Sequence, residues 1–394
     1  MNAQTIDEPP FPLWRAASCG LLAMLVGIGI ARFGYAPLVP ALIAAHWFSP
    51  GAAFTLGAIN LLGYLVGAGG MRLARMRINV RLAMLAMMGL TDLCLLASAL
   101  RWGFWWYAPW RLLSGITGGV LMVLMGQAVV ARAPAARRGA VGGLTFAGMG
   151  GGIALSGLVI PRILPFGLPT TWLSLAALGI AATIIVGLLM PPGFIEPAPR
   201  TARSPTRPNR AIPWLIIAYG LCAVGFVPHI LFWASFIAIG LGEGINQGAF
   251  YSAILGVAAA IGPPLAGRVA DRFGFGRTLA ASYLIMAGAV ALPLGFAGPV
   301  GLALSAFGVG ALAMAAVVLT SGMVAERVPA AAMGSVWGAA TLTYAIVQAG
   351  SAAGFSALFR ATGLYTPLFG TGAVALLVGA FIVGKIGGQN MTVR

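Results

Sequence analysis

Charged residues are scarce in this chain of 394 residues: they make up 8% of it, and only seven are acidic. A soluble globular protein carries about 25% charged residues, so this chain cannot cover a surface that faces water. The hydrophobic fraction of 60% excludes a disordered chain as well. The composition therefore excludes a soluble enzyme or nucleic-acid-binding domain and indicates an integral membrane protein.

Cysteine, histidine and lysine are also rare. The three cysteines, Cys19, Cys94 and Cys222, lie inside separate apolar runs with no spacing typical of a metal or redox site. Two histidines and seven acids leave little for metal or acid–base chemistry, so we expect no cofactor and no enzymatic activity. The sequence contains no Gly-x-x-x-x-Gly-Lys-Ser/Thr loop, and the one lysine, Lys385, ends the last apolar stretch; this excludes a self-contained ATP-driven pump.

Twelve apolar stretches are long enough to cross a bilayer, which takes about 20 residues. They cover residues 16–40, 52–71, 82–100, 104–131, 139–161, 172–190, 213–239, 248–267, 279–297, 299–324, 331–356 and 364–385. Gly298 and Pro299 mark the turn that divides the ninth from the tenth. The sequence thus predicts an all-α integral membrane protein whose two termini lie on the same side, because the number of spans is even.

The arginines are distributed unevenly over the two sides. Eighteen of the 23 basic residues fall on the side of the termini, whereas only Arg101, Arg162 and Arg360 fall on the other. Because cytoplasmic loops carry an excess of Arg and Lys, we expect both termini to be cytoplasmic. This bias accounts for most of the high isoelectric point, so no nucleic-acid partner is needed.

A stretch rich in proline and arginine, residues 191–212, divides the chain into six spans on each side. It indicates a solvated cytoplasmic linker between an N-terminal six-helix bundle, residues 1–190, and a C-terminal one, residues 213–394. When the chain is aligned with itself at an offset of 196 residues, Arg81 falls on Arg277, and Gly29 of the first span falls on Gly225 of the seventh. This repeat predicts a duplicated unit whose halves rock about a central site.

Two stretches resemble motifs of the major facilitator superfamily. The first, G-R-V-A-D-R-F-G-F-G-R, begins at Gly267 and is similar to the superfamily's loop signature, whereas residues 111–119 are similar to its fourth-helix pattern. The resemblance implies a gating loop made of Gly267, Asp271, Arg272, Gly274 and Arg277. In it Asp271 would pair with an arginine across the two halves; the alternative is a basic loop with a helix cap. The corresponding first-half motif is degraded.

Residues 29–40 resemble the first helix of the YbfB/YjiJ-like bacterial transporters. The resemblance implies the fold of the superfamily, twelve transmembrane helices in two pseudo-symmetric six-helix bundles, and a multi-pass location in the bacterial inner membrane. It identifies the class of protein but not its substrate.

Three charges lie within the predicted spans: Arg32, Asp92 and Arg111. A charge at the bilayer centre costs at least roughly 2.5–3.5 kcal/mol, so such groups usually face a cavity or a partner. At the offset of 196 each falls on an uncharged residue, which favours a functional role. Asp92 and Arg111 lie at similar depths and could neutralise each other, which leaves Arg32 without an obvious acidic partner.

An uncompensated guanidinium beside a cavity is suited to bind a carboxylate or phosphate. We therefore expect Arg32 and Arg111 to bind substrate; a snorkelling Arg32, or one bonded to backbone carbonyls, is the alternative. His229 and Asp92 are the candidates for proton coupling, although His229 is equally consistent with a neutral, packed histidine.

Further side chains could line the cavity. Phe33, Tyr35, Trp233 and Trp337 could form apolar walls, and Asn60, Gln127, Tyr344 and Gln348 could donate hydrogen bonds. Each aromatic residue is also consistent with simple packing.

The sequence therefore predicts a monomeric secondary transporter of a small organic anion, coupled to protons and embedded in the lipid bilayer. An efflux antiporter for an amphiphilic drug or metabolite is the alternative, favoured by a glycine-dense run in the fifth span. A membrane sensor that does not transport is a further one.

Overall fold

The computed structural model describes residues 13–73, 78–125, 129, 138–190, 195–196 and 209–388. Gln127 and most of the predicted linker 191–212 lie outside the described residues. Twelve helices in the described part are long and apolar enough to cross a membrane, which confirms the predicted all-α architecture. We number them as spans 1 to 12 in chain order.

Most spans are single helices, but spans 1 and 7 each consist of several segments. The helices run Leu13–Met24, Leu25–Phe33 and Tyr35–Ala44 (span 1), Pro50–Leu73 (2), Val80–Ala97 (3), Phe104–Met125 (4), Arg138–Ile163 with a 3₁₀ turn Leu164–Phe166 (5), Leu168–Leu189 (6), Ala211–Val227, Pro228–Phe232, Trp233–Ser235 and Phe236–Gly240 (7), Ile245–Phe273 (8), Phe275–Gly295 (9), Pro299–Ala325 (10), Ala330–Thr362 (11) and Thr366–Gly388 (12). The predicted break at Gly298 and Pro299 is confirmed.

Spans 1–6 and spans 7–12 form two bundles of six helices. Within them, span 2 packs on span 4 and span 8 packs on span 10. Between them, span 5 packs on span 8 and span 2 packs on span 11. The two contacts between the bundles are related by the internal repeat: span 11 is the repeat counterpart of span 5, and span 8 is that of span 2. We call the side where span 1 begins and span 12 ends the terminal side, and the other the far side.

Small residues allow the helices to approach closely, which is the usual device of membrane bundles. Within the first bundle, a Cβ added at Gly115 of span 4 would collide with the Asn60 main chain of span 2. Between the bundles, a Cβ added at Gly157 of span 5 would lie 2.6 Å from the Ala249 carbonyl oxygen and 2.7 Å from the Ala253 nitrogen of span 8. Backbones therefore touch both inside each bundle and across the interface.

The predicted gating loop is shorter in the structure than in the sequence interpretation. The helix of span 8 continues to Phe273, so Gly267, Asp271 and Arg272 lie on that helix. Gly274, with a φ of 86°, forms the turn, and Arg277 already belongs to span 9. A Cβ added at Gly267 would meet no atom within 4 Å, so this glycine is not required for a close helix contact. The position of Asp271 is exposed, on the terminal side.

One short β ladder joins the connection between spans 2 and 3 to the central linker. Strand β1, Ile78–Asn79, pairs antiparallel with strand β2, Ile195–Glu196. The Asn79 side chain also accepts a hydrogen bond of 3.0 Å from the Leu82 amide and so caps span 3. Strands of two residues are too short to show an alternation of apolar and polar residues, so they could not be predicted from the sequence.

Parts of spans 1 and 7 are π-helical, with wider turns than an α-helix. In span 1 the π-helix covers Leu25–Phe33, and the Gly34 amide donates to the Gly29 carbonyl five residues earlier. In span 7 the Leu241 amide donates to the Phe236 carbonyl in the same way. Such segments are rare and are frequent at functional sites. The segment in span 1 contains Arg32.

Candidate functional site

Arg32 lies at the contact between the two bundles. Its Nη2 donates a hydrogen bond to the Gln348 side-chain oxygen of span 11, 316 residues away. Its guanidinium carbon lies 4.3 Å from the ring centroid of Tyr64 and 5.1 Å from that of Phe33. Only 9% of Arg32 is exposed, so the side chain does not snorkel.

Arg111 lies next to it and is 2% exposed. Its Nη1 donates a 2.9 Å hydrogen bond to the Ala31 carbonyl in the π-helical segment, and its guanidinium carbon lies 4.1 Å from the Tyr35 ring centroid. Asn60 of span 2 donates to the Arg111 carbonyl at 3.0 Å. Three spans of the first bundle therefore fix the position of this arginine.

Both arginines line one cavity of about 270 Å³ at the centre of the molecule. Its lining consists of Arg32, Phe33, Tyr35, Gly57, Asn60, Leu61 and Arg111 from the first bundle and Ile230 and Leu231 from the second. The structure thus brings five predicted residues together: Arg32, Phe33, Tyr35, Asn60 and Arg111.

No acidic residue neutralises either arginine among the described residues, where the pair of Glu326 and Arg327 is the only salt bridge. Asp92 accepts a 2.7 Å hydrogen bond from Thr183 of span 6. The feasible pair of Asp92 and Arg111 is therefore not formed. The reason is directional, because Arg111 turns to carbonyl and ring groups of span 1, whereas Asp92 faces span 6.

His229 belongs to a second, adjoining cavity of about 250 Å³, which Phe33 and Ser252 also line. Its Nε2 lies 2.9 Å from the Ser305 hydroxyl oxygen. Since the Ser305 hydroxyl donates its proton to the Ala289 carbonyl at 2.6 Å, Nε2 must be the donor of this contact. Nδ1 is then an acceptor, and it has no hydrogen-bond partner among the described residues.

Trp233 does not belong to the lining of either cavity. Its ring stacks on the His229 ring at 4.5 Å between centroids, and it packs against Phe369 at 6.1 Å. In this structure Trp233 therefore orients the histidine and fills the second bundle.

A cluster of aromatic residues continues the site toward the terminal side. The Tyr344 and Tyr219 rings lie 4.5 Å apart, and Tyr219 and Trp337 lie 5.8 Å apart. Tyr344 is only partly buried, and it interacts electrostatically with Arg32. The sequence interpretation missed Tyr64 and Tyr219. For Tyr64 a signal existed, because it follows Asn60 by four residues on one helix face.

The far side of the cavity is closed by contacts between the bundles. The Phe54 ring lies 4.4 Å from that of Phe232 and 4.8 Å from that of Phe359. The Ser356 hydroxyl donates to the Phe54 carbonyl at 3.3 Å. This aromatic plug, made of Phe54, Phe232 and Phe359, separates the arginines from the far side.

The fold is similar to several solved membrane transporters. A D-xylose–proton symporter matches with a TM-score of 0.72 and 18% identity over 94% of this chain and 96% of that one. A mutant of the peptide transporter POT in complex with sulfate matches with a TM-score of 0.77 and 16% identity, over 96% of this chain and 95% of that one. The human organic anion transporter MFSD10 matches with a TM-score of 0.67 and 16% identity, over 94% of this chain and 99% of that one. At identities this low, the TM-scores establish a shared fold and nothing about the substrate.

The sequence itself matches one family over most of its length. No curated protein matches the chain, but the sequence model of the family described as "Uncharacterised MFS-type transporter YbfB" matches residues 24–384. The match includes both arginines, the interface between the bundles and all but the ends of the chain. The chain therefore belongs to this family of multi-pass membrane transporters.

Proposed function

We propose that the protein is a secondary active transporter that carries a small organic anion through the central cavity and couples this movement to protons. The observation that supports the proposal best is the pair of buried guanidiniums, Arg32 and Arg111, which line one cavity without an acidic partner in the described part of the chain. A bound anion would compensate both positive charges. Charge-assisted hydrogen bonds are strong in a buried site, because the dielectric constant there is low.

The movement we propose is alternating access by the two bundles, residues 1–190 and 213–394, joined by the cytoplasmic linker 191–212. The hydrogen bond from Arg32 to Gln348 crosses from one bundle to the other beside the cavity. Because the aromatic plug closes the far side, the next state of the cycle requires those rings to separate. In this proposal the exposed Asp271 and its neighbouring arginines latch the terminal side in the opposite state.

We place the protein in the bacterial inner membrane with both termini in the cytoplasm, as a monomer. The support for this orientation is the arginine bias, with 18 of the 23 basic residues on the terminal side. The terminal side of the protein then faces the cytoplasm and the far side faces the periplasm.

Arg32 is tested first. Replacing Arg32 with Gln is expected to abolish uptake or exchange of anions in proteoliposomes, because the amide supplies no charge for the substrate. The folded state should persist, since Gln can still bond to Gln348. Arg162→Gln is the matched control, because Arg162 caps the far end of span 5 and is remote from the cavity. Anion transport that is unchanged in Arg32→Gln would remove the anion proposal.

Asp92 and His229 are the two candidates for the proton-carrying group. We expect Asp92→Asn to fold normally, because Asn keeps an acceptor for the Thr183 hydroxyl. The variant should lose accumulation driven by a pH gradient and retain exchange of labelled for unlabelled anion, which needs no net proton movement. Both activities are measured in the same proteoliposomes. Accumulation that survives in Asp92→Asn would assign the proton to His229, for which His229→Gln is the corresponding variant.

A further inference from the structure

Three buried polar atoms of the central cavity have no hydrogen-bond partner among the described residues. They are Nε of Arg32, Nε of Arg111 and Oδ1 of Asn60. All three residues line the same cavity. Most buried polar groups are hydrogen-bonded, so exceptions that gather in one place require an explanation.

The two donors belong to positive charges. Arg32 and Arg111 interact unfavourably with each other, and Asp92, the one acid that the sequence places within a predicted span, faces Thr183 and not either arginine. A ligand with one negative charge would leave one guanidinium uncompensated in a low-dielectric site, and burial of an unpaired charge is costly. The cavity is therefore matched to two negative charges.

The third atom is an acceptor. Asn60 uses its amide nitrogen to donate to the Arg111 carbonyl at 3.0 Å and to the Ser114 hydroxyl oxygen at 3.4 Å. These two contacts determine the orientation of the amide group, so the atom left without a partner is the oxygen Oδ1, which accepts hydrogen bonds. A ligand that completes the cavity thus needs a donor in addition to its acidic groups.

We propose that the substrate is a small dicarboxylate that carries a hydroxyl group, with one carboxylate at Arg32, the other at Arg111 and the hydroxyl at Asn60. This inference rests on the proposed function and specifies its substrate class. All three contacts lie in the first bundle, so the ligand would travel with that bundle.

The test measures binding of simple acids to the purified full-length protein by isothermal titration calorimetry. The probes are butyrate as a monoanion, succinate as a dianion, malate as its hydroxylated form, and sulfate as a compact dianion with one centre. Succinate is expected to bind about tenfold or more tightly than butyrate, because its second carboxylate accepts hydrogen bonds from a charged guanidinium. Malate is expected to bind several-fold more tightly than succinate, because its hydroxyl adds one hydrogen bond to a neutral amide. Equal binding of butyrate and succinate, or the tightest binding by sulfate, would overturn the dicarboxylate assignment.

Variants link each preference to its residue. In Arg111→Gln the ratio of succinate to butyrate affinity should fall to about one, whereas Arg162→Gln should leave it unchanged. If Arg111→Gln does not fold, Arg111→Lys keeps the charge and should retain part of the ratio. Asn60→Ala should remove the preference for malate over succinate only. A ratio that stays constant in both Arg111 variants contradicts the inference, whereas failure of the proposed function is recognised separately, by anion transport that persists in Arg32→Gln.

Discussion

Replacing Gln348 with Glu is expected to weaken anion binding by about a hundredfold or more, although the two side chains have nearly the same shape. In the structure the Gln348 oxygen occupies a donor of Arg32. A carboxylate at this position would form a buried ion pair with the guanidinium, and displacement of one partner of such a pair costs about 2–5 kcal/mol. The substrate would then have to compete with a charge held permanently in place.

The matched control is Gln348→Ala, which removes the competing oxygen without adding a charge. We expect this variant to bind anions at least as tightly as the unchanged protein. The anion affinity of both variants is measured by isothermal titration calorimetry, and thermal unfolding verifies that both are folded. If Gln348→Glu and Gln348→Ala weaken binding equally, the effect arises from lost packing, and Arg32 does not bind the anion by charge.

A leucine in place of Gly157 is expected to shift the protein toward the state that is open on the far side. The new side chain would have to occupy space that the Ala249 carbonyl and the Ala253 nitrogen now fill, at 2.6 and 2.7 Å from the added Cβ. Overpacking costs about 1–3 kcal/mol. Because these atoms belong to the other bundle, separation of the bundles can relieve the clash, so the ratio of the two states should change by about 5- to 150-fold.

The shift can be measured as a distance between spin labels at the far-side ends of the two bundles. Trp105 and Phe296 are exposed there, 86% and 53% respectively, whereas the three native cysteines are buried and should not react. Gly151→Leu is the matched control, because it lies on the same helix and a Cβ added there meets nothing within 4 Å. An unchanged distance distribution in Gly157→Leu would mean that this contact persists throughout the transport cycle.

The sequence predicted the architecture well because the bilayer imposes simple rules on it. Span length, the break at Gly298 and Pro299 and the repeat follow from hydropathy, from turn residues and from duplication, each of which is local or periodic. Arg32 and Arg111 could be selected as site residues for a similar reason. A charge in a span is costly wherever it lies, so its presence is informative without knowledge of its neighbours.

The partners of these charges could not be predicted in the same way. The contact from Arg32 to Gln348 joins residues that are 316 positions apart, and no periodicity connects them. The depths of Asp92 and Arg111 indicated a pair, but depth does not determine the rotation of a helix about its axis. That rotation directs Asp92 toward Thr183 and Arg111 toward span 1. The π-helical geometry of span 1 also has no reliable signature in sequence.

The π-helix at Leu25–Phe33 has a consequence for how this family diversifies. A wide turn accommodates one residue more than an ordinary turn, so the loss of a single residue there would restore regular winding. Because the wide turn absorbs that residue, the helix on either side of the deletion would keep its orientation, and the side chains of the π-helical segment itself, Arg32 among them, would change direction toward the solute path. A one-residue gap ahead of Arg32 in an evolutionary relative would therefore mark a change of cargo, even where the arginine itself is retained.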